Sequence, residues 1–322
     1  MKSALICGAA GQDGAYLAKH LIDLGYRVYG TSRDAAVTSF ANLHKLGIRD
    51  RVTTKSMSLT DFRSVLSTVN ACTPDEIYNL AGQTSVGLSF EQPVETLESI
   101  VLGTLNLLEA IRFLERPIKF YNAGSGECFG DRTDSPATEL TPFNPRSPYA
   151  VAKASATYLV SNYREAFGMY ACSGILFNHE SFLRPERFVT QKIIRTAARI
   201  ACGSPEKLVL GNLDVVRDWG WAPEYVVAMH RMLQQDTPDD FIVATGKSVS
   251  LRYFAERAFA FHGLNIKDFL AQDATLMRPS DIAVGSASAE KAFRLLGWQP
   301  KILVEQVVDL MSTHALEMLH SG

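Results

Sequence analysis

Short apolar runs alternate with stretches of helical period through the first two thirds of the chain. Ser3-Ala4-Leu5-Ile6-Cys7 reads as a fully buried strand, and the runs near Val28, Ile77, Phe120 and Ile175 read the same way. Between them, the segments around Leu17, Val65, Leu105 and Tyr158 carry apolar residues at the spacing of helices that bury one face. This strand and helix rhythm predicts an α/β fold built on a doubly wound parallel sheet. After residue 180 the rhythm loosens, and Pro185, Pro205, Pro223, Pro238, Pro279 and Pro300 punctuate shorter elements. No internal repeat, charge block or low-complexity tract interrupts the chain.

Sheets of this kind bind ligands beyond the carboxyl ends of their strands. The residues just after each apolar run are therefore the candidates: Gly8 to Gly14, Ser32-Arg33, Leu80-Ala81-Gly82-Gln83, Asn122 to Ser125 and Phe177-Asn178-His179-Glu180. The first of these, Gly8-Ala-Ala-Gly11-Gln-Asp-Gly14, lies between a strand and a helix. Glycines there let the backbone turn tightly and approach a pyrophosphate, while unpaired N–H groups at the helix start attract the anion. The Gly-x-x-Gly-x-x-Gly spacing fits the usual dinucleotide fingerprint only loosely. Further on, Tyr149-Ala-Val-Ala-Lys153 follows Pro148 in a segment of helical character, so the phenol and the ammonium share one helix face. An ammonium beside a phenol stabilises the phenolate and is expected to lower its pKa toward neutrality. Together the two motifs imply a nicotinamide enzyme. They place a Rossmann-type dinucleotide-binding domain with the catalytic residues over 1–180, and a smaller, mainly substrate-binding portion over 181–322, interleaved with the first.

Composition narrows the partners. The 322 residues are 47% hydrophobic and 20% charged, ordinary for a globular protein able to bury a large core. A net charge of −2 gives no general pull toward nucleic acid or an anionic membrane, so any anion site must be local. No apolar run is long enough to span a bilayer and no signal peptide is visible, so a cytoplasmic location is expected. The five cysteines, Cys7, Cys72, Cys128, Cys172 and Cys202, are scattered without a Cys-x-x-Cys pair, which argues against disulfides and against a metal site.

Longer runs carry a resemblance. Tyr78-Asn-Leu-Ala-Gly-Gln83, Pro145-Arg-Ser-Pro-Tyr149-Ala-Val-Ala-Lys153, Asn162-Tyr-Arg-Glu165, Gly174-Ile-Leu-Phe-Asn178-His-Glu180 and Arg217-Asp-Trp-Gly220 resemble the extended short-chain dehydrogenase/reductases, and most closely the GDP-mannose 4,6-dehydratases. The resemblance runs from the glycine turn to Gly297-Trp298-Gln299-Pro300. It implies a redox-neutral dehydration in which a bound nicotinamide takes hydride from C4 of the sugar and returns it to C6. Tyr149 would take the proton of the 4-hydroxyl, with Lys153 supporting the phenolate and the nicotinamide ribose. The 4-ketone acidifies the C5 proton, and Glu127 falls where these dehydratases carry the base that removes it. A solvated loop carboxylate is the competing reading of Glu127. Ser125 stands where close relatives have threonine, in the hydrogen bond to O4, and the flanking glycines predict a looser loop. Sugar epimerases and ketoreductases share this architecture, so a 4-epimerase, a 4-ketoreductase or a dehydratase of another nucleotide-sugar is the alternative activity.

The resemblance also distributes the ligands. Cofactor contacts fall on Gly8, Gly11, Gln12, Gly14, Arg33, Asp61, Leu80, Ala81, Gln83, Leu176 and His179, besides Tyr149 and Lys153. Asp13 belongs to the same turn, chiefly as its stabiliser, and His179 is expected to complete local hydrogen bonds rather than do chemistry. No acid occupies Gly30, Thr31 or Ser32, and Arg33 is placed to meet a 2′-phosphate, so NADP is expected over NAD. Asp34 stands where relatives have a second basic residue, and a solvated Arg33-Asp34 turn is the competing reading. The GDP-sugar would be held by Ser85, Asn178, Val189, Lys192, Arg217, Arg278 and Asp281, the last replacing a family glutamate. Relatives assemble as dimers or tetramers, so a homodimer or homotetramer is expected.

Overall fold

The computed structural model describes residues 1–320. Along the chain, β1 (Ser3–Cys7), α1 (Gln12–Asp23), β2 (Arg27–Ser32), α2 (Ala41–Lys45), β3 (Val52–Ser56), α3 (Phe62–Cys72) and β4 (Glu76–Asn79) come first. They are followed by α4 (Val86–Glu91), α5 (Pro93–Leu97), a π turn over Glu98–Leu102, α6 (Gly103–Leu114), β5 (Lys119–Ser125), a 3-10 turn over Gly126–Phe129 and α7 (Pro148–Phe167). The remainder holds β6 (Ala171–Leu176), β7 (Asn178–Glu180), α8 (Val189–Ala201), β8 (Leu208–Leu210), β9 (Val216–Trp221) and α9 (Ala222–Leu233). It continues through β10 (Phe241–Val243), β11 (Ser248–Ser250), α10 (Leu251–Phe261), β12 (Leu270–Gln272), α11 (Glu290–Leu296) and α12 (Val304–His320).

Seven parallel strands form the main sheet in the order β10-β6-β5-β4-β1-β2-β3. The order reverses at β1, which pairs with β2 on one side and β4 on the other. That reversal opens a crevice beyond the strand ends. Alternation within β1 shows how both faces are covered: Ala4 and Ile6 join Leu17, Leu21, Val28 and Met229 on one face, whereas Leu5 and Cys7 join Val65, Ile77, Leu107 and Phe120 on the other. Two strands of this sheet lack a sequence expectation, β3 and β10. β3, Val-Thr-Thr-Lys-Ser, buries only Val52 because it is an edge strand, so it shows no apolar run. β10 is apolar but only three residues long, and it comes from the second half of the chain.

Beyond residue 180, β11-β9-β7 form a second sheet and β12-β8 a third. Ile193, Trp219, Phe254, Val307 and Val308 share a core there. α9 packs on α1, so the second half also covers the glycine-turn helix. No described helix is long and apolar enough to cross a membrane.

Candidate active site

The glycine turn has the shape an anion needs. Gly8 leaves β1 with φ +85°, a left-handed backbone, and a Cβ there would lie 3.1 Å from the Ala81 backbone. A Cβ on Gly14 would collide with the Gly8 carbonyl oxygen and come within 2.7 Å of the Ala9 Cα. Gly11 differs: its Cβ would meet only the Gly8 oxygen, at 3.4 Å, and Gly11 caps α1 without any side-chain bond. The space before Gly11 therefore faces the first N–H groups of α1, which have no intrahelical acceptor. These features fit a dinucleotide pyrophosphate.

Behind the turn lies a polar group joining α1 to β7. Gln12 donates to the His179 carbonyl at 3.2 Å and accepts from Ser181 at 2.8 Å. His179 Nδ1 stands 2.7 Å from the Phe177 carbonyl, which can only accept, and Nε2 stands 2.9 Å from the Asp13 carboxylate. Burial alone would raise the Asp13 carboxyl, but His179 and Arg184 outweigh it and hold it well below the usual carboxylate range. Arg184 pairs with Glu180 at 2.9 Å and donates to the His179 carbonyl. From the sequence, Arg184 only flanks the positions expected to hold the sugar nucleotide. Its one local signal is the four-residue spacing from Glu180.

The four residues expected to do chemistry come from β5, the 3-10 turn after it and α7. Ser125 ends β5 and accepts the Glu127 N–H at 3.3 Å, which starts the 3-10 turn that carries Glu127. Ser147 caps α7 by accepting the Ala150 N–H at 3.1 Å, and Pro148 occupies the first helical turn, so Tyr149 and Lys153 are fixed on its opening turns. The Lys153 ammonium donates to the Ala123 carbonyl at 2.8 Å and stands 5.9 Å from the Tyr149 ring centre. The expected lowering of the phenol is not found here. Burial pushes the Tyr149 phenol up, opposed only in part by the Ser125 hydroxyl and Arg184, and burial pulls Lys153 down to about 8. The ammonium is turned to a backbone carbonyl, which is why its charge does little for the phenolate. Glu127 is no solvated loop carboxylate: its side chain is 16% exposed and lies 3.6 Å from Arg217. Burial raises its carboxyl, against the lowering charges of Arg217 and Arg278.

Arg217 sits on β9 with its guanidinium buried. It donates to the Val216 and Ile282 carbonyls at 2.9 and 2.8 Å and pairs with Asp281 at 3.0 Å, which in turn meets Arg278 at 3.3 Å. Arg217, Arg278 and Asp281 are thus brought together beside Glu127. Asn178 is exposed at the start of β7. Val189 and Lys192 lie on the first turn of α8, where Lys192 donates to the Val209 carbonyl at 2.7 Å. Among the described residues, no hydrogen bond or ion pair ties them to the Arg217 group. The Ser85 hydroxyl caps α4, and Gln83 braces that loop through Ser85 and Thr96. Leu80 and Ala81 follow β4, and Leu176 ends β6 in the core. Asp61 caps α3 by accepting the Arg63 N–H at 3.0 Å. Arg33 follows β2 with its side chain 88% exposed, 3.9 Å from Glu95.

A family model described as GDP-mannose 4,6 dehydratase matches residues 5–311. The chain belongs to that family. GDP-mannose 4,6 dehydratase 1 of Arabidopsis thaliana is 43% identical over 98% of this chain and 90% of its own length. The fold is that of UDP-glucose 4-epimerase from Thermus thermophilus, solved with NAD, at TM-score 0.84 and 25% identity, covering 97% of this chain and 98% of that one. RMD from Pseudomonas aeruginosa, solved with NADPH, matches at TM-score 0.81 and 24% identity over 99% of this chain and 100% of its own.

For a GDP-mannose 4,6-dehydratase family member, a second expectation needs correction. The glycines flanking Ser125 do not loosen the loop. A Cβ on Gly126 would lie 2.8 Å from the Phe177 ring, and one on Gly124 would lie 3.1 Å from the Gly174 carbonyl oxygen. Neighbouring groups fill the space that side chains would have taken.

Proposed function

We propose that this chain is a hydro-lyase that converts GDP-mannose to GDP-4-keto-6-deoxymannose, with NADP as a nicotinamide dinucleotide recycled within each turnover. The observation that carries the reading is a mostly buried carboxylate, Glu127, held by Arg217 on the turn that follows Ser125 and among the charges bearing on the Tyr149 phenol. A simple reductase has no use for a second base at that position. Tyr149, with Ser125 beside it, takes the proton of the sugar 4-hydroxyl. Arg184 supplies positive charge that bears on the phenol, and Lys153 would hold the nicotinamide ribose. Glu127 removes the C5 proton, made acidic by the new 4-ketone, and delivers a proton to the departing C6 hydroxyl. A nicotinamide dinucleotide held at the glycine turn would supply the redox chemistry, taking up hydride from C4 and giving it back at C6 as C5 regains a proton from solvent.

The glycine turn would hold the pyrophosphate, Asp61 the adenine side and Arg33 the 2′-phosphate. Asp34 is taken up in its own turn, accepting the Ala36 N–H at 2.9 Å, which leaves Arg33 as the charge presented at the end of β2. Arg217 and Arg278 would pair the diphosphate of the sugar nucleotide. Exposed Val94, Leu97, Val151 and Tyr158 on the adjoining helices α5 and α7 suit a homo-oligomer. The test is incubation with GDP-, UDP-, CDP- and dTDP-hexoses in deuterated water, followed by mass spectrometry. Loss of one water from GDP-mannose with one solvent deuterium gained at C5 is expected. Intact GDP-mannose beside a reduced or epimerised product would overturn the reading.

A further inference from the structure

The charges around Glu127 form a balanced chain: Glu127, Arg217, Asp281 and Arg278, at successive separations of 3.6, 3.0 and 3.3 Å. Arg217 is its hub, and its nitrogens are not equivalent. Nη1 is spent on the Val216 and Ile282 carbonyls, which anchors the guanidinium to β9 and the segment beside it. The opposite edge, Nε and Nη2, faces the two carboxylates. That edge is the fork with which arginine grips a phosphate bidentately. The Glu127 contact on it is a charge contact, too long for a hydrogen bond.

We propose that Arg217 is a positioning residue that hands its charge from Glu127 to the diphosphate of the incoming sugar nucleotide, so that filling the diphosphate position arms the base. The inference rests on the reading above, in which Arg217 and Arg278 hold that diphosphate and Glu127 serves C5. A diphosphate on the Nε and Nη2 edge competes with Asp281 and neutralises the guanidinium without moving it. Arg278, which pairs with the same Asp281, is drawn in alongside. The other charged and titratable groups that face Glu127 are Asp281 from the segment beside β9, Asp131 after the 3-10 turn, Tyr149 on α7 and the neighbouring Cys128 thiol. None of these is a cation. Once the two arginines are neutralised, Glu127 is left buried among like charges, and its hold on a proton strengthens just as the C5 proton must be taken. Before that, Arg217 counters part of the effect of burial on its carboxyl.

The carboxyl stretch of Glu127, identified by its loss in Glu127→Gln, can be followed by infrared difference spectroscopy across pH. Protonation should set in about 1–3 pH units higher with GDP bound than with guanosine, which lacks the diphosphate. In steady-state kinetics the acid limb of kcat should lie above that of kcat/KM for the same reason. Asp281→Asn should leave Arg217 wholly to Glu127 and widen the gap, whereas Arg217→Gln should close it. Calorimetry with GDP separates the two layers of the argument. If Arg217→Gln binds GDP as tightly as the unmodified protein, the diphosphate reading itself is wrong. If GDP binding weakens but GDP and guanosine give the same Glu127 titration in the unmodified protein, only the coupling is overturned.

Discussion

Asp13 and Glu127 are both largely buried carboxyls, and they are driven in opposite directions. At Asp13 the charges of His179 and Arg184 outweigh burial; at Glu127 burial outweighs Arg217. Asp13 is therefore a fixed anion in the scaffold of the glycine turn, and Glu127 holds a proton more readily than an ordinary carboxylate. Glu127→Gln keeps the size and removes the acceptor. Turnover should fall by about 10²–10⁴-fold, roughly 3–5 kcal/mol of barrier, while reduced nicotinamide accumulates on adding GDP-mannose and C5 takes up no deuterium. Undiminished product formation by that variant would remove Glu127 from the chemistry. Arg33 makes a second test at this scale, because its nearest charged partner is a distant exposed pair with Glu95. Arg33→Ala should weaken NADP binding by about 10–100-fold, the worth of a charge-assisted phosphate contact, and leave NAD binding nearly unchanged. Equal losses for both dinucleotides would show that Arg33 serves the fold instead. The pairing of Tyr149 and Lys153 on one helix face was legible in the sequence because its motif is local, whereas Ser125 and Glu127 were singled out only by the resemblance. The role of Arg184 was not legible, since only the return of β7 alongside the glycine turn gives its charge a place.

The glycine turn shows what a motif can say at the scale of one element. Its order of strand, turn and helix was readable from the apolar run and the helical spacing, but the separate duties of the three glycines were not. Gly8 needs its left-handed backbone, Gly14 lies against the backbone of the same turn, and a Cβ on Gly11 would make only an ordinary contact with the Gly8 oxygen. Gly14→Ala should therefore cost about 1–3 kcal/mol of stability, as overpacking against rigid backbone does, seen as a lower Tm and weaker dinucleotide binding. Gly11→Ala, by contrast, should leave Tm almost unchanged and weaken only the dinucleotide. Matching Tm losses in the two variants would contradict this division. Sheet edges were the least legible elements. β3 is polar on most of its length and β10 has three residues, so neither shows a period, and both are specified by the neighbour they pair with.

At the scale of the whole molecule, the second half of the chain is locked to the first along α1 and α9, and that contact titrates. His20 on α1 and His230 on α9 meet edge to face, ring centres 5.2 Å apart, and the Tyr26 hydroxyl joins His230 to the buried Glu76 carboxylate. Burial first, then the neighbouring His20, lowers His230 from its ordinary 6.5 to about 4, and burial lowers His20 as well. As pH falls below 6.5, the unfolded chain gains a proton at position 230 that the folded chain refuses until about 4. Stability therefore declines across that window, in proportion to the protons that only the unfolded state binds. Partial exposure of both rings weakens the effect, so a slope of a few degrees in Tm is expected rather than acid collapse. His230→Gln keeps a donor for Tyr26 and removes the titration. Its Tm should be close to that of the unmodified protein at pH 7.5 and should fall less steeply between pH 6.5 and 4. An equally steep fall in the variant would mean that the acid sensitivity of this fold arises elsewhere than at the joint between α1 and α9.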